Sequence, residues 1–540
     1  MTEEIKEKIS HVVSDNYDIK RREALEKIDN AEFGWFHIRA CMVSGVGFFT
    51  DAYDIFAINL VATMLAYVYF GTNTLPTDVD LGVKVATPVG TLVGQIAFGI
   101  LADLVGRKKM YGIELLMIIF ATLSCCLVSN SYAFSPTTKT FVQNSNVISA
   151  QGLITFWRVI LGIGIGGDYP LSAVITSEFA TTKRRGGMMA AVFAMQGFGI
   201  LSAAIISTIT IVCFQSAITP NDYTHIDYAW RIVTGFGAIP GVVALYFRLT
   251  IPETPRFTMD IERNVNQAVQ DIDTVLTTGS YRPREQEINI KVDAPKASFA
   301  DFFRYFGKWE NGKVLFGTAF TWFALDVAFY GIGLNNNAIL KQIGFIGDGK
   351  DPYGYLYKAS VGNIIIALLG TVPGYWVTVF TIDSWGRRPI QLMGFGMLTG
   401  LFIILGFGYN PIKNASMELF IFIFTLSQFF FNFGPNATTF VIPGEVFPTR
   451  YRSTAHGLSA AAGKLGAIIS QVGFIKLKDQ GGDPGSNAFI DHLFKIFAVF
   501  MLAGLIFTFF FVPETKNKSL EDLSNENQEG FVKESRPAVV

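Results

Sequence analysis

The chain has 540 residues, half of them hydrophobic and only 16% charged, with a mean hydropathy of +0.37. Soluble proteins carry about 25% charged residues and lack repeated apolar runs of 18 or more residues. The composition therefore excludes an ordinary soluble protein and indicates a polytopic helical membrane protein, surrounded by lipid. The net charge of -1, with no basic tract, gives no indication of a nucleic-acid partner.

The sequence lacks the residue patterns that form catalytic or metal-binding sites in enzymes. The four cysteines lie in apolar runs without CxxC or Cys/His spacing, so the sequence predicts neither a metal site nor a disulfide framework. Neither a nucleophile–base constellation nor a nucleotide-binding loop of the Gly-x-x-x-x-Gly-Lys-Ser/Thr type is present. We therefore expect a transporter that uses an ion gradient, with no cofactor, rather than an enzyme.

Twelve apolar segments follow one another along the chain, each long enough to cross a bilayer. The predicted spans are 38–67, 84–103, 110–130, 150–175, 187–213, 230–251, 313–342, 359–382, 389–409, 417–443, 455–475 and 492–512. The predicted parts are an N-terminal segment 1–37, a six-helix bundle 38–251, a linker 252–312, a second six-helix bundle 313–512 and a tail 513–540. Within the linker, Phe257 to Leu276 is expected to form a surface helix.

Lysine and arginine are concentrated in the short loops on one side of the predicted bundle. These residues are Arg107, Lys108, Lys109, Lys183, Arg184, Arg185, Arg387, Arg388, Arg450 and Arg452. The loops on the other side are poorer in them: Lys139, Lys350, Lys358, Lys413, Lys476 and Lys478. Because short cytoplasmic loops carry the excess of positive charge, the first side is predicted to be cytoplasmic, together with both termini and the linker.

Three charged motifs of the first half recur in the second half in the same order, at offsets of 280, 267 and 261 residues. They are Asp103-x-x-Gly106-Arg107-Lys108 and Asp383-x-x-Gly386-Arg387-Arg388, Glu178 with Arg185 and Glu445 with Arg452, and Pro252-Glu253-Thr254 and Pro513-Glu514-Thr515. Parallel repeats of this kind imply a substrate site between the halves, near the bilayer midplane. We expect Asp103, Arg107, Asp383 and Arg387 to latch helix ends between inward-open and outward-open states.

The stretch from Gly162 to Glu178, GIGIGGDYPLSAVITSE, lies within the fourth predicted span. Its four glycines indicate close helix packing. Packing does not explain Asp168, because an acid at the centre of a bilayer costs about 2.5–3.5 kcal/mol on insertion scales. Asp168 is therefore expected to face protein or water and is a candidate functional residue.

Other polar residues inside the predicted spans form patterns. Asp51 and Asp54 are three residues apart and so share one face of the first span. Trp322, Asp326 and Tyr330 recur every four residues and form one polar stripe on the seventh span.

Polar residues also occupy equivalent positions in the two repeats, which is what a central cavity requires. The pairs are Asp168 with Asn436 and Gln196 with Lys464, both at an offset of 268, and Asp51 with Asp326 at an offset of 275.

The repeated loops resemble the signature of the major facilitator superfamily, and Arg158-x-x-x-Gly162-x-Gly164 resembles another of its motifs. The strings GGDYPLSAVITSEFA, FFTDAYDIFAINL and NFGPNATTF resemble the fungal and plant proton-coupled inorganic phosphate symporters, over nearly the whole chain. The resemblance implies an all-α membrane protein with the major facilitator fold, twelve helices in two pseudo-symmetric halves. It also implies proton-coupled phosphate import by alternating access, in a plasma membrane.

The polar positions suit phosphate, which presents several strong acceptors. Lys464 supplies a positive charge, and hydrogen-bond donors come from Tyr169, Gln196, Trp322, Tyr330 and Asn436. Asp326 would repel an anion unless it accepts a hydrogen bond from a P–OH group. Sulfate has no such proton at neutral pH, so this carboxylate is expected to select phosphate, with arsenate entering as a mimic. The resemblance implies the same binding set.

Asp51, Asp54 and Asp168 are candidates for proton carriage. The resemblance implies that Asp51 and Asp168 are the main coupling acids, whereas Asp54 is expected to line the path or only to hydrogen-bond. Arg158 either stabilises a neighbouring carboxylate or is structural.

Three alternatives stay open at the level of sequence. Asp326 and Lys464 can be a structural buried ion pair. The substrate can be an organic phosphate ester or another anion. The protein can also be a sensor that binds phosphate and signals without net transport.

Overall fold

The computed structural model describes residue 19 and residues 21–130, 132–135, 140–143, 148–220, 222–249, 253–260, 298–347, 349–483 and 486–524. The surface helix expected from Phe257 to Leu276 lies outside the described residues beyond position 260. The described part of that stretch belongs to a short helix, Pro255–Asp260.

Among the described residues, twelve helical segments are long and apolar enough to cross a membrane, which confirms the predicted number. Spans 1 to 6 are Trp35–Phe70, Thr77–Val105, Arg107–Cys126, Ala150–Phe179, Arg185–Cys213 and Thr224–Leu249. Spans 7 to 12 are Trp309–Gly333, Pro352–Trp385, Arg387–Phe407, Met417–Val446, Thr449–Leu477 and Ile490–Phe511. The fold is the expected one, an all-α bundle of two six-helix halves.

Several spans are built from more than one helix. Span 3 comprises Arg107–Met110 and Ile113–Cys126, span 6 comprises Thr224–Phe236 and Ala238–Leu249, and span 10 comprises Met417–Asn432 and Pro435–Val446. Span 8 contains a π-helical turn, Ala367–Thr371, between Pro352–Ile366 and Val372–Trp385, and span 11 begins with a 3₁₀ turn, Thr449–Tyr451, before Arg452–Leu477. Further described helices are residues 21–29, Phe299–Phe306, Asn336–Gln342, Tyr409–Ala415 and Leu520–Ser524.

Two features differ from the sequence-based expectation. The predicted seventh span ran to residue 342, but the helix ends at Gly333, and Asn336–Gln342 is a separate short helix. The cause is Asn335, whose amide donates to the Gly331 carbonyl and to Gln471 and so satisfies the end of the helix. A hairpin of strands Tyr132–Ser135 and Thr140–Gln143 also joins spans 3 and 4, which the all-α reading did not include.

The glycines of span 4 allow a close approach to span 2. A Cβ on Gly162 would overlap the Thr87 carbonyl, and one on Gly166 would overlap the Thr91 carbonyl. Small residues let helix backbones approach in this way inside membranes. The glycine run is therefore explained by packing, which leaves Asp168 to be explained by chemistry.

The two halves meet along two pairs of spans that the repeat relates to each other. Span 2 packs against span 11, and span 5 packs against span 8. Residues 21–29 and 513–524 lie at one end of the bundle with the Asp103 and Asp383 loops, which we call the terminus face. The other end, with the described loop residues 71–76, 343–347, 349–351, 478–483 and 486–489, is the opposite face.

Candidate transport site

The centre of the interface contains a buried ion pair, Asp326 on span 7 and Lys464 on span 11. Lys464 Nζ donates to Asp326 Oδ2 at 2.8 Å, and the two side chains are 2% and 1% exposed. The ammonium lies 5.1 Å from the ring centroid of Tyr169 and 4.4 Å from that of Tyr330. A cation of the second half therefore faces an aromatic residue of the first half, Tyr169, across the interface.

The other predicted binding residues, Trp322, Gln196 and Asn436, are also buried. The Trp322 ring lies 6.3 Å from the Tyr169 ring. Gln196, on span 5, is buried, and its Nε2 has no hydrogen-bond partner among the described residues. Asn436 is engaged within the second half, because its Nδ2 donates to the Tyr375 hydroxyl at 2.7 Å.

A second ionic cluster lies entirely within the first half. Arg248 on span 6 donates to Asp168 at 2.6 Å and to Glu114 on span 3 at 2.7 Å. Its guanidinium also lies 4.3 Å from the Tyr111 ring centroid, and Ser172 donates to Asp168 at 2.6 Å. These side chains are buried, so one cation is shared by two carboxylates away from water.

Asp51 lies beside this cluster and differs from it. Neither of its carboxylate oxygens has a hydrogen-bond partner in the described part of the chain, although the side chain is only 1% exposed. It interacts electrostatically with Asp168 and Arg248. The approach depends on Gly47, one turn earlier in span 1, since a Cβ there would overlap the Arg248 guanidinium and the Asp168 carboxylate.

Asp54 belongs to a separate pocket of the first half. Its carboxylate accepts a hydrogen bond from Thr122 at 2.8 Å. It lines a narrow cavity together with Arg158, whose Nε donates to the Val83 carbonyl at 2.9 Å. Asp54 and Arg158 are thus neighbours, as expected if the arginine stabilises a carboxylate.

Consecutive residues of span 4 connect the two clusters. Asp168 binds Arg248 inside the first half, and Tyr169 faces Lys464 at the interface. Adjacent residues on a helix point about 100° apart. A displacement of this helical turn therefore moves the Asp168 carboxylate and the Tyr169 ring together.

The four motif residues expected to act as latches are brought to the contact between the halves at the terminus face. Asp103 accepts hydrogen bonds from Thr454 N and Oγ1, both at 2.8 Å, at the start of span 11. Asp383 accepts one from Gly187 N at 2.8 Å, at the start of span 5. Each carboxylate therefore binds the N-terminal end of a helix in the other half, where the helix dipole favours negative charge.

The arginines of the same motifs lie with buried acids. Arg107 lies 3.2 Å from Asp103 and donates to the Thr449 carbonyl at 2.7 Å, across the interface. Arg387 lies 2.7 Å from Glu445 within its own half.

The repeated acid of span 4 makes a further bridge between the halves. Glu178 accepts from Arg452 of span 11 at 2.8 Å. An ion pair thus crosses the interface at the terminus face, beside the hydrogen bonds of Asp103, Asp383 and Arg107.

The two terminal segments join this network. Asp29 lies 3.2 Å from Arg185 and 3.1 Å from Arg256, and Arg256 donates to Glu521 at 2.7 Å. Burial by itself raises the pKa of Glu521, but the Arg256 guanidinium outweighs it and lowers that pKa to about 2. The segments before span 1 and after span 12 are therefore tied to the loop after span 6.

Neutral amides join the halves at the opposite face. Asn59 of span 1 donates to Asn363 of span 8 at 3.1 Å, and Asn337 donates to the Asn59 carbonyl at 2.8 Å. Lys84 of span 2 donates to Asn335 at 2.9 Å. The two faces of the bundle are therefore held by different chemistry.

Glu114 and Arg248 were not among the residues predicted to be functional. Both lie in apolar runs, ELLMIIFATL and GVVALYFRL. A charged residue inside a span is a functional candidate by itself, so a search for every such residue would have found the pair.

Twelve spans in two repeated six-helix halves, with ionic side chains buried between and within the halves, define a membrane transporter. Over residues 40–526, the chain matches the model of a family described as sugar (and other) transporter. The chain belongs to this family, together with the fungal and plant phosphate transporters to which it is similar.

Curated relatives match over nearly their whole length. The chain is 52% identical to the repressible high-affinity phosphate permease of Neurospora crassa, over 94% of this chain and 90% of the relative. It is 45% identical to the inorganic phosphate transporter PHO84 of Saccharomyces cerevisiae, over 94% and 87%. A probable inorganic phosphate transporter 1-8 of Oryza sativa is 39% identical, over 94% and 95%.

Solved structures support the fold. A structure of the proton:xylose symporter XylE, of the major facilitator superfamily, superimposes with a TM-score of 0.67 at 20% identity, covering 91% of this chain and 99% of that one. At this identity the likeness establishes the fold alone.

Proposed function

We propose that this protein imports inorganic phosphate together with protons by alternating access, with the substrate bound between the halves near the bilayer midplane. The observation that carries the proposal is the Asp326–Lys464 pair beside Tyr169 and Tyr330. The names of the curated relatives support the choice of substrate.

The pair suits a protonated tetrahedral anion. Lys464 offers charge-assisted donors to the anion, and one of its three N–H groups is engaged by Asp326. Asp326 accepts a hydrogen bond from a P–OH group. The unpartnered Nε2 of Gln196 supplies a further donor, and Trp322, Tyr330 and Asn436 complete the binding set.

The acids of the first half are proposed to carry the protons. Asp51 has no partner in the described structure for either oxygen, and an unpartnered buried carboxylate is costly. Binding a proton removes this cost. Asp168 exchanges partners when span 4 moves, whereas Asp54, held by Thr122, lines the path.

The latches are proposed to close the terminus face whenever the opposite face opens. In the described structure, Asp103 binds the start of span 11 and Asp383 binds the start of span 5. Arg107 pairs with Asp103, and Arg387 pairs with Glu445. By the positive-inside rule this face is cytoplasmic, and the membrane is the plasma membrane. Release of the contacts opens the site to the cytoplasm.

Competition of radiolabelled phosphate uptake into proteoliposomes tests the substrate. Unlabelled phosphate and arsenate are expected to compete at similar concentrations. Sulfate is expected to need at least about a hundredfold more, because an anion oxygen that brings no proton to the Asp326 carboxylate is repelled by it, at a cost of about 3 kcal/mol or more. Competition by an organic phosphate ester at the same concentration as phosphate would contradict the proposal and indicate an ester transporter.

A further inference from the structure

A polar cavity of about 460 Å³ opens at the opposite face between the two halves. Its wall includes three lysines, Lys84 from span 2 and Lys341 and Lys478 from the second half. Two acids, Asp80 and Asp479, also line it, so the charged wall has one positive charge in excess. Pro76 and Thr77 add the N-terminal end of span 2, whose dipole favours an anion.

Lys84 is the most unusual residue of this wall. It is only 8% exposed. Its ammonium donates to Asp80 Oδ2 at 3.1 Å and to Asn335 Oδ1 at 2.9 Å, and it also lies 2.9 Å from Asp80 Oδ1. Because Lys84 lines the cavity, an anion there can replace one of these acceptors at the ammonium.

This arrangement repeats the chemistry of the central pair. At both places a buried ammonium contacts a carboxylate, at 2.9 Å for Lys84 and Asp80 and at 2.8 Å for Lys464 and Asp326. The ammonium donates to anion oxygens, and the carboxylate accepts from an acidic O–H. A dianion without protons gains the first contact but is repelled by the second.

The cavity lies on the route from the opposite face to the central pair. Between them the ring of Phe56 stacks on the ring of Tyr330 with centroids 5.9 Å apart. Asn59, which lines the cavity, lies about one turn beyond Phe56 on span 1. Asn335, which also lines it, follows the end of the span 7 helix that carries Tyr330. A ligand in the cavity is thus separated from Lys464 by one aromatic layer.

We propose that this cavity is a second, outer binding site for inorganic phosphate in its protonated form, loaded before the anion passes Phe56 and Tyr330. The proposal rests on the proposed function, because it assumes that phosphate is the transported anion. Lys84 and Asp80 bind the anion directly, and Lys341 and Lys478 raise its local concentration.

Equilibrium binding of radiolabelled inorganic phosphate to the purified full-length chain tests this site. The Lys464→Ala variant removes the central ammonium and is expected to retain one weaker site per chain. In that background, Lys84→Gln is expected to weaken the remaining binding at least tenfold and Lys478→Gln about threefold. Lys358→Gln makes the same charge change on an exposed residue outside the cavity and is expected to change nothing.

Folding is checked by size exclusion and thermal unfolding, and Lys478→Gln carries the test if Lys84→Gln does not fold. In otherwise wild-type protein, Lys478→Gln is expected to raise KM about threefold and to leave kcat unchanged.

Each contrary result has a separate meaning. If the wild type binds phosphate and Lys464→Ala does not, the central site holds all of the bound phosphate. The outer-site proposal is then wrong, whereas the proposed function stands. Residual phosphate binding that neither Lys84→Gln nor Lys478→Gln weakens also overturns the outer-site proposal. A wild type that binds no phosphate overturns both proposals.

Discussion

The two buried ionic clusters differ in composition and in position. In the first half, Arg248 is shared by Asp168 and Glu114, so acids outnumber the cation, and Asp51 lies beside them. In the second half, Asp326 and Lys464 balance each other. The first cluster is enclosed within its half, whereas the ammonium of the second faces the other half across the interface.

The difference indicates that the two clusters have different roles. A cluster with surplus carboxylates gains most from a proton, because a buried negative charge without a partner is costly. A balanced pair offers both a donor and an acceptor and suits an anion that carries its own proton. Since Asp168 and Tyr169 are consecutive, one turn of span 4 contacts both clusters, and this provides a physical connection between proton and phosphate.

The largest expected effect comes from removing the cation of the balanced pair. Lys464→Ala leaves Asp326 buried without its partner and is expected to lower phosphate uptake at least a hundredfold at every pH. Initial uptake rates in proteoliposomes check this, with Lys358→Ala as the matched control. Wild-type uptake by Lys464→Ala would show that the pair is structural only.

The acidic cluster is expected to respond differently. Asp168→Asn should keep phosphate affinity within about threefold of wild type, because Lys464 is untouched, while uptake no longer responds to a proton gradient. Phosphate binding and gradient-driven uptake are measured on the same preparation. Ser172→Ala removes the 2.6 Å hydrogen bond to Asp168 and the 3.1 Å hydrogen bond with the Tyr111 hydroxyl but keeps the Asp168 carboxylate, so it should retain the response. If Asp168→Asn loses phosphate affinity to the same extent as it loses the response to the proton gradient, the two clusters act as one site.

An intermediate effect is expected at the terminus face. Asp103→Asn weakens the contact with Thr454 and the ion pair with Arg107, so the closed form of this face loses stability. Uptake should fall about tenfold with little change in phosphate affinity. Hydrogen exchange of the Thr454 backbone amide, which donates to Asp103, measures opening without altering span 11, and Asp103→Asn should make it faster. Unchanged exchange would mean that Asp103 does not latch the face.

The smallest effect on uptake is expected from Glu521→Gln, far from both clusters. The pKa of Glu521, about 2 in the folded protein, lies below the ordinary value of about 4.3. The ion pair with Arg256 therefore stabilises the fold above pH about 4.3, by about 3 kcal/mol at most, and this stabilisation is lost as the pH falls towards 2. Thermal unfolding between about pH 6 and pH 3 should show a smaller loss for Glu521→Gln than for wild type. Equal losses would contradict the pairing.

The sequence predicted what depends on periodicity and repetition. Helical spacing places Trp322, Asp326 and Tyr330 on one stripe whatever the tertiary structure is, and hydropathy alone yields twelve spans. The Arg248 cluster could not be derived in the same way, because its three charges come from spans 3, 4 and 6 and meet only after these helices pack. The early end of span 7 was missed because it depends on the contact of Asn335 with Gln471, 136 residues away.

The most direct test is radiolabelled phosphate uptake into proteoliposomes with and without an imposed inward proton gradient, in wild type and in Asp168→Asn. We expect the gradient to accelerate wild-type uptake, a protonophore to abolish the acceleration, and Asp168→Asn to show none while it still binds phosphate. Wild-type uptake that is indifferent to the gradient would contradict proton coupling, and Asp51 and Asp168 would then need a structural explanation.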